Sequence, residues 1–344
     1  MQRRRHLLLM VMAALLSGCA TTVNASALRT SRLPNLAPAG PFTLGADTLT
    51  LLRGGEATFT ALNGLLSGAT REIDVEMYEF GRPDLADDLV AAHRRGVAVH
   101  VIVDPTVDVS AVTESHLRAA GVSVVDYPVR SLMIDHVKLL VVDGTVGVVG
   151  GVNWGVASWA NHDFDAEVRG PVVTNLLSVF RRDLVTCGIA AMIPTPVDDP
   201  ALLVATTLPS DDIHPLAIDV IDSARTRLDL ALFVITDTPI VHALERAAER
   251  GVSVRVLLDP SQRSSDPSAA ALRNAGISLR MYASAGELLH AKVVVADDET
   301  VLFGSANWSS GGFVRNHEVD VKIPHAPLVA RAFEEQIEAD WAGS

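Results

Sequence analysis

The sequence is poor in cysteine, in aromatic side chains and in positive charge. Cys19 and Cys187 are its two cysteines, too few for a disulfide framework or a multi-thiolate zinc centre. Aromatics make up 5%, which argues against a stacking platform for single-stranded nucleic acid. Lys and Arg total 28 against 41 Asp and Glu, a net charge of −13. A chain this acidic is a poor general binder of a nucleic-acid backbone. No apolar run reaches the roughly 20 residues that a spanning helix needs. Hydrophobic content of 49% with 20% charged residues excludes intrinsic disorder as the overall class. The length of 344 residues suggests about two domains.

The N-terminus carries an address. Arg3, Arg4 and Arg5 precede an apolar run from Leu7 to Leu16, with the charge and length of a signal-peptide core. The run ends in Leu16-Ser17-Gly18-Cys19, which resembles a bacterial lipoprotein lipobox. That resemblance implies a lipoprotein signal peptide over 1–18, with lipidation of Cys19. It also implies an extracytoplasmic protein, lipid-anchored to a bacterial membrane. Each buried acyl methylene contributes about 0.8 kcal/mol to such an anchor. Loss of the three arginines takes the net charge from −13 to −16. Residues 19–45 lack periodicity and read as a tether. With Cys19 lipidated, Cys187 is expected as a small buried apolar residue.

The rest of the chain is organised by an internal repeat. VAVHVIVDP (97–105) returns as VSVRVLLDP (252–260), and LRAAGVSV (117–124) as LRNAGISL (272–279). HVKLLVVDG (136–144) returns as HAKVVVADD (290–298), and NHDFD (161–165) as NHEVD (316–320). The offset stays near 155, so a whole domain is duplicated. The expected boundaries are 46–190 for the first half, 191–210 for a proline- and acid-rich linker, and 211–344 for the second. Each half alternates strand and helix patterns, which points to an α/β fold with helices on both sheet faces. Predicted strands cover 71–78, 97–103, 228–235 and 252–258. Predicted helices begin at Pro83 and Pro239 and end at Gly96 and Gly251. Terminal helices are expected over 171–184 and 327–341.

The strongest chemical signal is also duplicated. His136, Lys138, Asp143, Gly150 and Asn153 recur at identical spacing as His290, Lys292, Asp297, Gly304 and Asn307. Alternate side chains of a strand share a face, so each histidine points the same way as its lysine. Asp143-Gly144 is a hairpin-turn signal. An unbulged hairpin about that turn would set Asn153 opposite His136. The matching hairpin would fold between Asp298 and Glu299 and set Asn307 opposite His290. Each half thereby gathers an imidazole, an ammonium and a carboxamide, a set suited to a phosphodiester.

Both copies resemble the signature of the phospholipase D superfamily, His-x-Lys, four residues, Asp, six residues, Gly-x-x-Asn. The resemblance covers nearly the whole chain after the tether. It implies a duplicated α/β/α sandwich, two pseudo-symmetric halves with mixed sheets flanked by helices, in a monomer that is an intramolecular pseudo-dimer. It implies catalysis by His136, Lys138, Asn153, His290, Lys292 and Asn307, with no metal requirement and no cofactor. His136 is expected to attack phosphorus and form a phosphohistidine, and His290 to protonate the leaving alcohol. Water or an alcohol then releases the product. Acidic residues after each motif are expected to orient the histidine of the opposite half, Glu318 for His136 and Asp163 for His290.

Plainer roles are expected elsewhere. Asp143 and Asp297 are read as structural, fixing the hairpin. Gly150 and Gly304 are read as allowing close backbone approach. Trp154 and Trp308 are expected in the core. His162 and His317 fit either a supporting or an exposed position, and Asp74, Glu76 and Glu79, which alternate near a strand end, are read as local polarity or a rim of the site. The first copy departs from the common pattern: Gly151 stands where the second half has Ser305, and Gly155 where it has Ser309.

The superfamily includes phospholipases, phosphatidyl transferases and nucleases. A bilayer tether, an acidic surface and fused halves favour a phospholipid substrate at a membrane surface over nucleic acid. No spanning segment of the kind common in cardiolipin synthases is visible. The expected activity is therefore phospholipase D-type hydrolysis of phospholipid head groups by a phosphoric diester hydrolase. The alternatives are a cardiolipin synthase-like phosphatidyltransferase, an extracellular nuclease, or a lipoprotein that binds phosphorylated ligands without turnover.

Overall fold

The computed structural model describes residues 33–283 and 286–344. The leader, Cys19 and the first part of the tether lie outside the described residues. In chain order the first half contains β1 (Ala39–Leu44), β2 (Asp47–Arg53), α1 (Gly55–Gly68), β3 (Glu72–Met77), α2 (Pro83–Arg94) and β4 (Ala98–Val103). It continues with α3 (Ala111–Ala119), β5 (Ser123–Asp126), β6 (Lys138–Val142), β7 (Val146–Gly150), β8 (Phe164–Arg169) and α4 (Val172–Thr186). The second half contains β9 (Leu203–Thr206), α5 (Ile213–Ser223), β10 (Arg227–Leu232), α6 (Thr238–Glu249), β11 (Ser253–Leu258) and α7 (Asp266–Asn274). It ends with β12 (Ser278–Met281), β13 (Lys292–Ala296), β14 (Thr300–Gly304), β15 (Val319–Ile323) and α8 (Pro327–Gly343).

The order β3–α2–β4–α3–β5–β6–β7–β8–α4 returns as β10–α6–β11–α7–β12–β13–β14–β15–α8. Each set forms a mixed sheet, ordered β5-β4-β3-β6-β7-β8 and β12-β11-β10-β13-β14-β15. The βαβ units pair in parallel, and the remaining strands pair antiparallel. Local sequence explains the element ends. Pro83 opens α2, and Gly96 at φ +91° follows its end. The Asp237 side chain accepts from the Ile240 N–H at 3.1 Å and caps α6. β6 and β13 are buried along their whole length because both sheet faces are covered.

Two segments read as connections also carry strand. Residues 39–44, inside the 19–45 stretch, form β1 on the edge of the first sheet, and residues 203–206, inside the 191–210 stretch, form β9 on the edge of the second. Both are only partly buried, so neither carries the alternation that marks a strand in sequence. Edge pairing satisfies backbone groups without demanding apolar side chains.

Three apolar clusters hold the layers. Phe59, Leu62, Leu85 and Leu89 cover the outer face of the first sheet. Ile213, Val220, Ile240 and Leu244 do the same for the second. The third cluster lies between the sheets and belongs to both halves. It draws Leu139 and Phe164 from the first sheet, Val293 and Phe303 from the second, Phe180 from α4 and Phe333 from α8. Phe164 and Phe303 lie 4.9 and 5.1 Å from the Phe333 ring. The halves therefore share one core, which fixes how their strand ends meet.

The hairpin register differs from the simple expectation. Leu139 pairs with Val149, and Val293 with Phe303, so both hairpins are offset by one residue and Asn153 does not face His136 across the ladder. The loops are three residues long, because Asp143 and Gly144 both adopt positive φ (54° and 63°), as do Asp297 and Asp298 (54° and 58°). Asp tolerates this region better than most residues.

Both turn aspartates tie the hairpin to the start of the central strand. The Asp143 carboxylate accepts from the N–H groups of Thr70 (3.0 Å), Arg71 (2.7 Å) and Glu72 (2.9 Å) and from Thr70 Oγ1 (2.8 Å). Asp297 accepts from Arg225, Thr226 and Arg227 N–H in the same way. Burial pushes the Asp143 carboxyl up, but these bonds together outweigh it and hold it down at about 2. Asp143→Asn or Asp297→Asn is expected to cost about 2 kcal/mol of stability. Thermal unfolding should show the drop while histidine labelling by substrate persists. Labelling lost at unchanged stability would instead give the aspartate a chemical role.

Candidate active site

The two histidines sit two residues ahead of β6 and β13, where the strands leave the shared core. The His136 N–H donates to the His317 carbonyl at 2.8 Å, and the His290 N–H to the His162 carbonyl at 2.8 Å. Each histidine-bearing segment is thus bonded to the NH-acid loop of the other half. The side chains repeat the exchange. His136 Nδ1 lies 2.9 Å from Glu318 Oε2, and His290 Nδ1 lies 2.7 Å from Asp163 Oδ2. With Nδ1 held by a carboxylate, Nε2 is the nitrogen left for chemistry in both rings.

The lysines stand beside them. Lys138 Nζ donates to the His136 carbonyl at 2.6 Å, and Lys292 Nζ lies 2.8 Å from His290 Nδ1 and also donates to the His290 carbonyl. An aromatic ring backs each pair. Tyr78 is 4.8 Å from His136, and Phe233 is 4.7 Å from His290. These two rings were not singled out in the sequence, although they occupy matched positions at the ends of β3 and β10. Asn153 and Asn307 follow β7 and β14, each with a buried, unpartnered Oδ1.

The departures in the first copy have a steric cause. A Cβ on Gly151 would lie 2.2 Å from Asp163 Oδ1. Asp163 is one methylene shorter than Glu318, so the loop must approach without a side chain. In the second half Ser305 Oγ fits beside the longer acid and donates to Glu318 Oε2 at 2.6 Å. A Cβ on Gly155 would lie 2.0 Å from Glu79 Oε1. The Glu79 carboxylate thus fills space that any residue larger than glycine at 155 would need, and it accepts from Asn153 Nδ2 at 3.3 Å. The signature glycines serve close approach as expected: a Cβ on Gly150 would lie 2.1 Å from Asp165 Oδ1, and one on Gly304 2.2 Å from Asp320 Oδ1.

The supporting shell is buried. His162 Nδ1 pairs with Asp340 at 2.8 Å and His317 Nε2 with Asp183 at 3.0 Å, so neither of these histidines is exposed. Trp154 packs edge-on to Phe80 at 5.0 Å, and Trp308 lies 6.1 Å from Phe313, both in the core. Cys187 is half-buried against the shared core, less enclosed than expected, at the end of α4.

Burial dominates the electrostatics. It lowers Lys138 to about 7, opposed by Glu318 and reinforced by the Lys292 charge. It lowers Lys292 to about 8 against the pull of Asp163 and Glu318. It also lowers His290 to about 4, with Lys292 adding to the effect. The Lys292 charge acts on His136 as well as on Lys138, so both clusters work on one pocket. An anion brought to that pocket restores these charges. Sulfate keeps its charge from pH 6 to 9, whereas the lysines lose theirs as pH rises through about 7 to 8. Sulfate affinity, read by thermal shift, is expected to fall on the order of tenfold or more over that interval. A pH-independent affinity would remove the lysines from anion binding.

Among the described residues, two groups have the composition of a metal site: Glu72, Asp74 and His100, and Glu76, Asp183 and His317. Neither includes His136 or His290. Arg181 already bridges Glu72 (2.6 Å) and Asp74 (3.1 Å) in the first. No helix among the described residues is long and apolar enough to cross a membrane.

Known proteins place this arrangement. The family described as "Cardiolipin synthase, PLD-like domain" matches residues 62–184 and 217–341. Cardiolipin synthase A of Pseudomonas aeruginosa (strain LESB58) is 29% identical, over 88% of this chain and 68% of that protein. Cardiolipin synthase of Geobacillus kaustophilus is 27% identical, over 87% and 67%. The crystal structure of phosphatidylserine synthase from Haemophilus influenzae Rd KW20 superposes with a TM-score of 0.65 at 14% identity, covering 89% of this chain and 88% of that one.

Proposed function

Because the chain belongs to the cardiolipin synthase, PLD-like domain family, within the phospholipase D superfamily, we propose that it transfers a phosphatidyl group from a phospholipid to an alcohol. The sequence alone favoured water as the acceptor. The relatives named cardiolipin synthase weigh toward an alcohol such as the glycerol head group of a second phospholipid. Hydrolysis is then the side reaction that follows when water enters instead. The observation that carries the phosphodiester chemistry is the reciprocal pairing of each histidine with a carboxylate of the other half.

The steps follow from that geometry. His136 Nε2 attacks phosphorus, an N–P bond forms and the bond to the head-group oxygen breaks. His290 gives its Nε2 proton to the departing oxygen. The acceptor hydroxyl then attacks the phosphohistidine, His290 takes its proton and the N–P bond breaks. Lys138, Lys292, Asn153 and Asn307 hold the non-bridging oxygens, whose charge grows in each transition state. Glu318 and Asp163 keep both Nδ1 atoms as donors. Asp143, Asp297, Gly150 and Gly304 support the hairpins that carry these groups.

The same reading sets the chain at a membrane outside the cytoplasm, held through Cys19, which would concentrate it beside phospholipid. An unmodified Cys19 in the N-terminal peptide from native membranes, read by mass spectrometry, would remove the anchor from the proposal.

The test of the reaction uses the full chain with phosphatidylglycerol vesicles, with and without added free glycerol. Diphosphatidylglycerol and glycerol are the expected products, and added glycerol should reverse the balance. Phosphatidic acid as the sole product would make the protein a hydrolase. No product beyond that of His136→Ala would overturn the proposal.

A further inference from the structure

Behind His136 lies a group of acids that the chemistry above does not use. Glu76 projects from β3, Asp183 from α4 and Asp135 from the residue before His136. His317 reaches in from the other half. All four are fully or almost fully buried. His317 Nε2 lies 3.0 Å from Asp183 Oδ2 and 3.8 Å from Glu76 Oε1. None of the oxygens of Glu76 and Asp135, nor His317 Nδ1, makes a well-formed hydrogen bond; the Glu76 and Asp135 carboxyls face each other, and the Val137 N–H approaches Asp135. Fully ionised, three carboxylates would face one imidazole and the Arg182 guanidinium, whose Nε lies 3.8 Å from Asp183 Oδ1, and a surplus of negative charge would remain in a dry place. Such a surplus is strongly unfavourable unless something neutralises it.

The second half supplies an internal control. Glu76 pairs with Leu139 in its sheet, and Ala231 pairs with Val293 at the matching place. Asp135 is matched by Leu289, which also precedes a motif histidine. The His162–Asp340 pair remains there at 2.8 Å, and His162 Nε2 lies 3.1 Å from the Leu33 carbonyl. One acid suffices to hold that histidine. Glu76 and Asp135 are therefore additions particular to the first half, and nothing in the support of the motif histidine calls for them.

We propose that Glu76, Asp183 and His317, faced by Asp135, form a structural site for a first-row divalent cation, Zn²⁺ or Mn²⁺. The three ligand atoms lie within 4.8 Å of one another. Ligands about 2.0–2.2 Å from one ion stand at comparable separations. One imidazole with carboxylates suits these ions better than Mg²⁺ or Ca²⁺, which favour all-oxygen sets. A cavity of about 660 Å³ reaches the cluster at Asp183, beside Tyr127 and Arg182, and the Tyr127 ring stacks on His317 at 5.2 Å. The ion would join two ligands of one half to one of the other. Because the His317 carbonyl accepts from the His136 N–H, it would also steady the His136 backbone without touching substrate. This inference does not depend on the transferase reading.

The test measures metal content of the purified full chain by mass spectrometry, after dialysis against Zn²⁺ or Mn²⁺ and removal of the excess. It is paired with thermal unfolding before and after chelation. The control is Glu76→Ala with Asp135→Leu, which copies the second half. The wild type is expected to hold one equivalent, to lose thermal stability on chelation and to regain it on adding the ion. The double variant should hold less than a tenth as much and ignore the chelator. If it does not fold, Glu76→Gln is measured instead and should bind at least tenfold more weakly. A metal-free wild type would overturn the site in favour of shared protons. Metal retained in the variant would overturn it in favour of another location, such as Glu72, Asp74 and His100.

Discussion

His136→Ala is expected to abolish the covalent phosphoenzyme and to lower turnover by about 10⁴-fold or more. Removing a nucleophile from a paired catalytic unit leaves only what binding and charge stabilisation contribute. The loss should be the same for every leaving group, because no substrate can bypass the missing N–P bond. His290→Ala is expected to behave differently. Its proton matters when the leaving group is an alkoxide and matters little when the leaving group is stable as an anion. An activated p-nitrophenyl phosphodiester should therefore still label His136 in the His290→Ala protein, while phosphatidylglycerol turnover falls about 10³-fold or more. Quenched-flow labelling followed by peptide mapping reads both outcomes. Phosphate found on His290 in the wild type would exchange the two roles. Equal loss for both leaving groups in His290→Ala would end its assignment as the acid.

The second large effect is expected at the carboxylates. Glu318 is completely buried and takes His136 Nδ1 at 2.9 Å, Ser305 Oγ at 2.6 Å and Asn316 Nδ2 at 3.1 Å. In Glu318→Gln, one face of the new amide must present its NH₂ either to the Asn316 amide or to the imidazole. Facing the imidazole, it would reverse the tautomer and put the proton on Nε2, where the lone pair is needed. A fall of about 10²-fold or more in turnover is expected. Asp163→Asn should do the same to His290, which Asp163 meets at 2.7 Å. Packing loss alone would lower turnover independently of His136. The two can be separated with a double-mutant cycle: His136→Ala with Glu318→Gln should be no slower than His136→Ala alone. Additive losses would make Glu318 a packing residue. Far-ultraviolet circular dichroism and thermal unfolding on the same variants exclude simple misfolding.

Much of this protein was readable in one dimension. The repeat, the βα alternation and the two His-x-Lys motifs are local patterns, and the physics that produces them is local as well. Helices open at Pro83 and at Thr238-Pro239 and end before Gly96 and Gly251 because those prolines and glycines restrict or permit particular backbone angles. The expected pairing of Glu318 with His136 and of Asp163 with His290 was also legible, through resemblance to a family in which two halves exchange acids. The proposed choice of alcohol over water as acceptor was not. It rests on the relatives, since both acceptors use the same groups.

The sequence by itself determined which residues are duplicated, which elements they lie on and what chemistry they can perform. Tertiary structure decided how those pieces meet. The hairpins are offset by one residue because Asp143 and Gly144 both enter the left-handed region, a choice made by the turn's bonds to Thr70, Arg71 and Glu72. The shared core of Phe164, Phe303 and Phe333 sets the halves face to face, and that docking brings each acid to the other half's histidine. The glycines at 151 and 155 read in sequence only as departures from the common pattern. In space they are clearances for Asp163 and Glu79, residues distant in the chain. Glu76, Asp135, Asp183 and His317 are likewise scattered over two halves. Their common burial exists only because two sheets and α4 close around them, and no spacing along the chain encodes it.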